Sequence, residues 1–341
     1  MFKWKISYKV FVTAFVMLFV GMMFSSCGMF DKEVAEAIET ESENLIVVGY
    51  SQLGSESVWR TANTNSIQTA LSKENGFFLQ FNNARQKQEN QIKAIRSFIS
   101  QRVDYIAFSP VTEDGWTTVL EEAKKAGIPV ILVDRSISAT DSSLYTTRVG
   151  TDSYWEGSQA GKWLEEDLKK KHQEEEEINI VVLQGTPGAS VQLGRTMGFA
   201  EIAEKHSNWH ILEQRNADFT TAKGKEVMEH FLRLYEDIDV LVSQNDDMTF
   251  GAIEALRESG REIGKDDDIR IISFDAGHDA LMMVRDGIID VDVECNPEQG
   301  ETLAEVIRML ERGEKVEKEY IVEDKVFTKE NVEKYLDGRT Y

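Results

Sequence analysis

Basic residues and cysteines are scarce in this 341-residue chain: 38 Lys and Arg stand against 60 Asp and Glu, and there are two cysteines. The net charge of −22 argues against nucleic acid as a partner, because neutralising phosphates takes clustered Lys and Arg. Two cysteines, Cys27 and Cys295, make no disulfide framework, and a modified Cys27 would leave Cys295 with no partner. Catalytic signatures are missing as well: there is no G-x-S-x-G elbow, no H-E-x-x-H and no Walker sequence. His172, His206, His210, His230 and His278 show no metal-ligand spacing. A non-enzymatic protein without metal or cofactor is therefore expected.

The amino terminus carries what the composition withholds. Lys3, Lys5 and Lys9 precede an apolar run from Val10 to Phe24, which is short of the roughly 20 residues of a spanning helix and has the layout of a secretory signal. FSSC at 24–27 resembles a bacterial lipobox, whose cysteine is lipidated after cleavage. The expectation is a signal peptide over 1–26, a lipid on Cys27 that anchors the chain to a membrane, and an acidic tether over 27–44.

Beyond the tether, six short apolar runs each stop at a polar residue. LIVVGYSQ reaches Gln52, DYIAFSP reaches Ser109, and PVILVDR reaches Asp134 and Arg135. INIVVLQG reaches Gln184, DVLVSQND reaches Asn245 and Asp246, and IRIISFD reaches Asp275. Such runs read as strands buried on both faces, with amphipathic helices between them, as in QIKAIRSFI with Ile92, Ile95, Phe98 and Ile99 on one face. Gly127 and Gly260 read as stops of two equivalent crossover helices. The fold class is α/β, with two similar doubly wound parallel-sheet lobes joined by hinge crossings. Residues 45–147 plus 296–320 are assigned to the first lobe, and 148–295 plus 321–341 to the second. The block KKKHQEEEE at 169–177 is a solvated connection. GTPGAS at 185–190 has a weak likeness to a phosphate cradle and reads better as a strand-to-helix turn with Ser190 near the helix start.

In open parallel sheets the ligand sits outside the carboxyl ends of the strands. Carboxylates accept hydrogen bonds, guanidinium donates in a fork and amides do both, so Asp134, Arg135, Arg195, Asn245 and Asp275 suit a neutral polyhydroxylated ligand. Trp59 in GSESVWR and Phe219 in NADFTTAKG offer aromatic faces to the apolar face of a sugar ring. Cys295 reads as packing rather than chemistry.

From about Leu45 onward the chain resembles the ribose-type periplasmic sugar-binding proteins of ABC importers, and within them the galactofuranose-binding group. The resemblance rests on GSESVWR at 54–60, QKQENQIKAIRSF at 86–98, VDRS at 133–136, QGTPGAS with Arg195 and Gly198 after it, DFTTAKGKEVME at 218–229 and NDDMTFGAIEAL at 245–256. It implies a receptor, monomeric and without catalysis, whose lobes close on one monosaccharide and present it to a membrane permease. The positions it implies for ligand contact are Glu56, Ser57, Trp59, Arg60, Asp134, Arg135, Arg195, Asn245 and Asp275, with Phe219 as a further candidate. Val58 stands where that group is expected to have glycine, and no sugar contact is expected near Cys295, where ribose binders place a glutamine. The alternative role is a sugar-sensing co-receptor for a chemoreceptor or histidine kinase.

Overall fold

The computed structural model describes residues 45–138, 141–261, 263–264 and 269–341. The expected signal peptide, Cys27 and tether lie outside the described residues. The chain begins with β1 (Ile46–Gln52), α1 (Val58–Ala70), β2 (Phe77–Asn83), α2 (Gln88–Gln101), β3 (Tyr105–Phe108), α3 (Thr117–Ala126), β4 (Val130–Val133) and β5 (Thr147–Gly150). It continues with α4 (Ser153–Lys170), β6 (Ile178–Gln184), α5 (Ser190–Ala203), β7 (Trp209–Asn216), α6 (Thr221–Leu234), β8 (Val240–Ser243) and α7 (Asp246–Glu258). After these come β9 (Arg270–Asp275), α8 (His278–Arg285), β10 (Val291–Glu294), α9 (Gly300–Glu311), β11 (Glu319–Ile321), β12 (Val326–Thr328) and α10 (Glu333–Leu336).

The strands form two six-stranded sheets of matching layout, β11-β5-β4-β3-β1-β2 and β12-β10-β9-β8-β6-β7. Parallel registers such as Val48 opposite Tyr105 and Ile131 opposite Thr147 run through the first sheet. Val240 pairs with Ile180 and Arg270 in the second, where β12 departs by lying antiparallel to β10.

The unalternating runs behave as their sequences require. In β8, Leu241 enters the core on one face of the sheet, while Val240 and Val242 enter the core on the other. Burying each such side chain contributes roughly 1.5–3 kcal/mol. Helix α2 buries Ile95 and Phe98 and leaves Ile92 and Ile99 half-buried against the same cluster. Gly127 ends α3 at φ 74°, a left-handed conformation that favours glycine.

The chain passes between the sheets at Thr151–Asp152, at Cys295–Gln299 and at Val322–Lys325. This corrects the sequence assignment at two places: Arg148–Gly150 continue β5 and Ile321 completes β11, both in the first sheet. β5 is only four residues long with two polar residues at its start, and β11 is a three-residue edge strand with two exposed positions, so neither boundary stands out in the sequence.

Candidate functional site

Because the strands of each sheet, β12 apart, run parallel, their carboxyl ends gather at the gap between the lobes. A small cavity lies there. The first lobe contributes Glu56 and Ser57, Trp59 and Arg60 from the first turn of α1, and Asp134 with Arg135 after β4. The second contributes Arg195 on α5, Phe219 before α6, Asn245 before α7 and Asp275 at the end of β9. All ten positions picked from the sequence face this one space. Val191 and Cys295 line it too, and the sequence reading had placed no contact near Cys295. The Trp59 indole Nε1 donates to the Cys295 carbonyl, which fixes the ring as a wall between the lobes. The Val58 side chain is not part of the lining and is 58% exposed.

Three strand-end residues serve elsewhere. Gln52 bonds Asn63 at 3.0 Å and Thr64 at 3.1 Å, and Gln184 bonds Thr196 at 3.0 Å. Ser109 stands behind the cavity, accepting from Arg60 Nη1 and donating to Asp134 Oδ2, each at 3.3 Å. Two lining residues also hold helices in place: Ser57 Oγ accepts from Arg60 N and Asn245 Oδ1 from Met248 N, each at 3.0 Å. These are N-caps of α1 and α7.

Three carboxylates and three guanidiniums line the cavity, so its charge balances, as a buried site requires. Arg60 Nη2 donates to Asp134 Oδ2 at 2.7 Å and its Nε to Glu56 Oε1 at 3.0 Å. Burial alone would depress the Arg60 pKa, and the carboxylates of Asp134 and Glu56 overcome it, so it is raised. Arg195 donates through Nε to Glu156 Oε2 at 2.6 Å, through Nη2 to Asp275 Oδ1 at 3.0 Å and through Nη1 to the Gln244 carbonyl. Arg135 is less well served. Its nearest carboxylate, Asp134, is 3.9 Å away, and Nη1 donates to the Val111 carbonyl at 2.8 Å. Burial, with Arg60 beside it, pushes its pKa down to about 10. Arg135 Nε and Glu56 Oε2 are buried and have no hydrogen-bond partner among the described residues. Such atoms cost stability unless a ligand or water meets them.

Asp134, Phe219 and Asp275 sit at φ 63°, 59° and 101°, in left-handed backbone that non-glycine residues rarely adopt. Strain of this kind, about 1–3 kcal/mol each, concentrates at binding sites. The Phe219 ring is accommodated by Gly185, where a Cβ would come within 1.9 Å of it. That is the reason for the glycine in QGTPGAS. The same segment joins the lobes: Glu113 N donates to Gly188 O at 3.0 Å and Ser136 N to Ser190 Oγ at 2.9 Å. Val58 N donates to Asp247 Oδ2 at 3.3 Å on another side of the gap, and Arg135 lies 5.6 Å over the Phe219 ring. The lobes are closed.

Residues 48–315 match the periplasmic binding protein domain. This chain belongs to that family. It is 45% identical to the galactofuranose-binding protein YtfQ of Escherichia coli (strain K12) over 255 residues, 74% of this chain and 78% of that protein. A crystal structure from Mycobacterium smegmatis in complex with β-D-fucofuranose superposes with a TM-score of 0.82 at 43% identity, covering 87% of this chain and 95% of the other. The binding component of the arabinose ABC transporter from Shewanella sp. ANA-3, bound to α- and β-L-arabinofuranose, gives 0.80 at 40% identity, covering 86% and 95%. These relatives are solute-binding proteins. The two-sheet, two-lobe architecture is the one they share with this chain.

Proposed function

We propose that this chain is an extracytoplasmic receptor for one monosaccharide in furanose form, galactofuranose or a related aldose, which it delivers to an ABC transporter permease. The observation that carries this reading is the pair of orphaned atoms, Glu56 Oε2 and Arg135 Nε, buried in a charge-balanced cavity between closed lobes. A neutral ligand with adjacent hydroxyls supplies a donor to the first and an acceptor to the second without upsetting the charge. Hydrogen bonds to charged groups are worth roughly 1.5–3 kcal/mol each. Trp59 and Phe219, one from each lobe, supply apolar faces for the ring. The furanose preference is supported by the ligands named for the relatives above.

In this reading the nine residues Glu56, Ser57, Trp59, Arg60, Asp134, Arg135, Arg195, Asn245 and Asp275, with Phe219, contact the sugar. Closure of the lobes is the state the permease reads. The FSSC segment at 24–27 supports a lipid on Cys27 that keeps the monomeric receptor at the membrane.

Titration calorimetry against furanose and pyranose aldoses and polyols tests the proposal. A bound sugar at a hundred times Kd stabilises the fold by about 2.7 kcal/mol, read as a rise in Tm. Heat and thermal shift absent across the whole panel would refute it.

A further inference from the structure

One fully buried carboxylate behind the cavity is left over from the sugar contacts. Glu156, in the first turn of α4, is 0% exposed and does not line the cavity. Its Oε2 accepts from Arg195 Nε at 2.6 Å, and its Oε1 accepts from Thr151 Oγ1 at 2.7 Å. Thr151 is in the first crossing between the lobes. Its Oγ1 is 3.3 Å from the Sγ of Cys295, at the start of the second crossing.

Proton counting fixes the direction of each bond. The Thr151 hydroxyl has one proton and gives it to Glu156, so the Cys295 thiol is the donor to Thr151. Burial, then the charge of Glu156, pushes the thiol pKa up, and the proton stays on sulfur. The second crossing is tied to the third by Asn296 N donating to Asp324 Oδ1 at 2.8 Å. All three crossings are thus linked to each other and, through one carboxylate, to Arg195. Gly157 makes room for this: a Cβ there would stand 2.3 Å from the Arg195 carbonyl, so only glycine lets α4 lie close enough to α5.

We propose that Glu156 and Thr151 are positioning residues that join the sugar-facing guanidinium of Arg195 to the interlobe crossings, so that seating Arg195 on the ligand and setting the crossings closed are one event. The proposal rests on the receptor reading above. Its physical basis is that bending at the first crossing turns the Thr151 hydroxyl away from Glu156, leaving a buried anion one hydrogen bond short. The closed arrangement is the one in which that anion is fully satisfied.

The test uses the full chain with Thr151→Val and Thr151→Ser, with affinity measured by calorimetry against the sugar bound by wild type, release by stopped-flow tryptophan fluorescence and lobe opening by small-angle scattering. Thr151→Val should weaken affinity about tenfold, speed release and enlarge the unliganded particle, and Thr151→Ser should restore all three. A merely structural role would lower Tm for Val and leave release and particle size alone. Wild-type affinity and compaction in Thr151→Val, or a serine variant as impaired as the valine, overturn the proposal. If Thr151→Val does not fold, Glu156→Gln takes its place, with the same criteria. Scattering of the unliganded proteins needs no sugar, so failure of the receptor reading shows in wild-type calorimetry and failure of this proposal in equal particle sizes.

Discussion

The two halves of the cavity use the same side-chain types in different states of completion. In the second lobe each nitrogen of Arg195 has an acceptor, in Glu156, Asp275 and the Gln244 carbonyl. In the first lobe Arg135 reaches its nearest carboxylate at 3.9 Å, and Glu56 keeps an oxygen with no partner among the described residues. One half is a finished wall and the other is unfinished. In the proposed function, binding energy comes from bonds that form only with the ligand, which assigns the larger share of it to the first lobe. On that reading the second lobe closes over what the first has seated.

Removing each arginine separates the two halves. Arg195→Ala would strand Glu156 as a buried anion and leave Asp275, whose carboxyl burial already pushes well above its usual range, without its cation; breaking buried pairs from one side costs about 3–5 kcal/mol. Denaturant unfolding should show that loss in the absence of any sugar. Arg135→Ala removes a guanidinium whose burial is poorly compensated, so unliganded stability should hold or rise. Its affinity for sugar should fall by about a hundredfold or more as a bidentate donor is lost. Reversal of the pattern, with Arg135→Ala unstable and Arg195→Ala merely weak in binding, would show that the halves have been assigned the wrong way round.

How much of this was legible in the sequence depended on burial. The central strands announce themselves because β3, β4 and β8 are buried on both faces and are apolar or aromatic throughout except for Ser243 at the end of β8. Edge strands β2 and β7 escape notice, since FFLQFNN and WHILEQRN mix exposed polar positions with apolar ones. Asp134, Arg135, Asn245 and Asp275 could be picked from their place after apolar runs, a one-dimensional signal. Glu156 could not: the strand before its helix, β5, is not one of the apolar runs, and the residue looks like any acidic residue in a first helical turn. Only the close pairing of α4 with α5 shows that it faces Arg195. The left-handed backbone at Asp134, Phe219 and Asp275 was hidden for the same reason, since none of the three is glycine.

Where the halves touch, one titratable group reports on closing. Asp247, on the second lobe, accepts the Val58 N–H of the first at 3.3 Å. Burial, opposed by that bond and helped by the charge of Glu56, raises its pKa from 3.8 to about 6 in the closed form. An acid with a raised pKa resists being buried as an anion, so closing carries a penalty above pH 6 that is relieved as the pH falls through 6 and is gone below 3.8. Closing therefore takes up a proton. With the ordinary value for the open form, sugar affinity should rise about tenfold between pH 7 and pH 5. Calorimetry on Asp247→Asn isolates this group from the other buried carboxyls, because the amide carries no charge at either pH and should flatten that part of the slope. Equal slopes for variant and wild type would mean that the interlobe contact at Asp247 is formed equally in open and closed states, and the division into a seating half and a closing half would then lose its boundary.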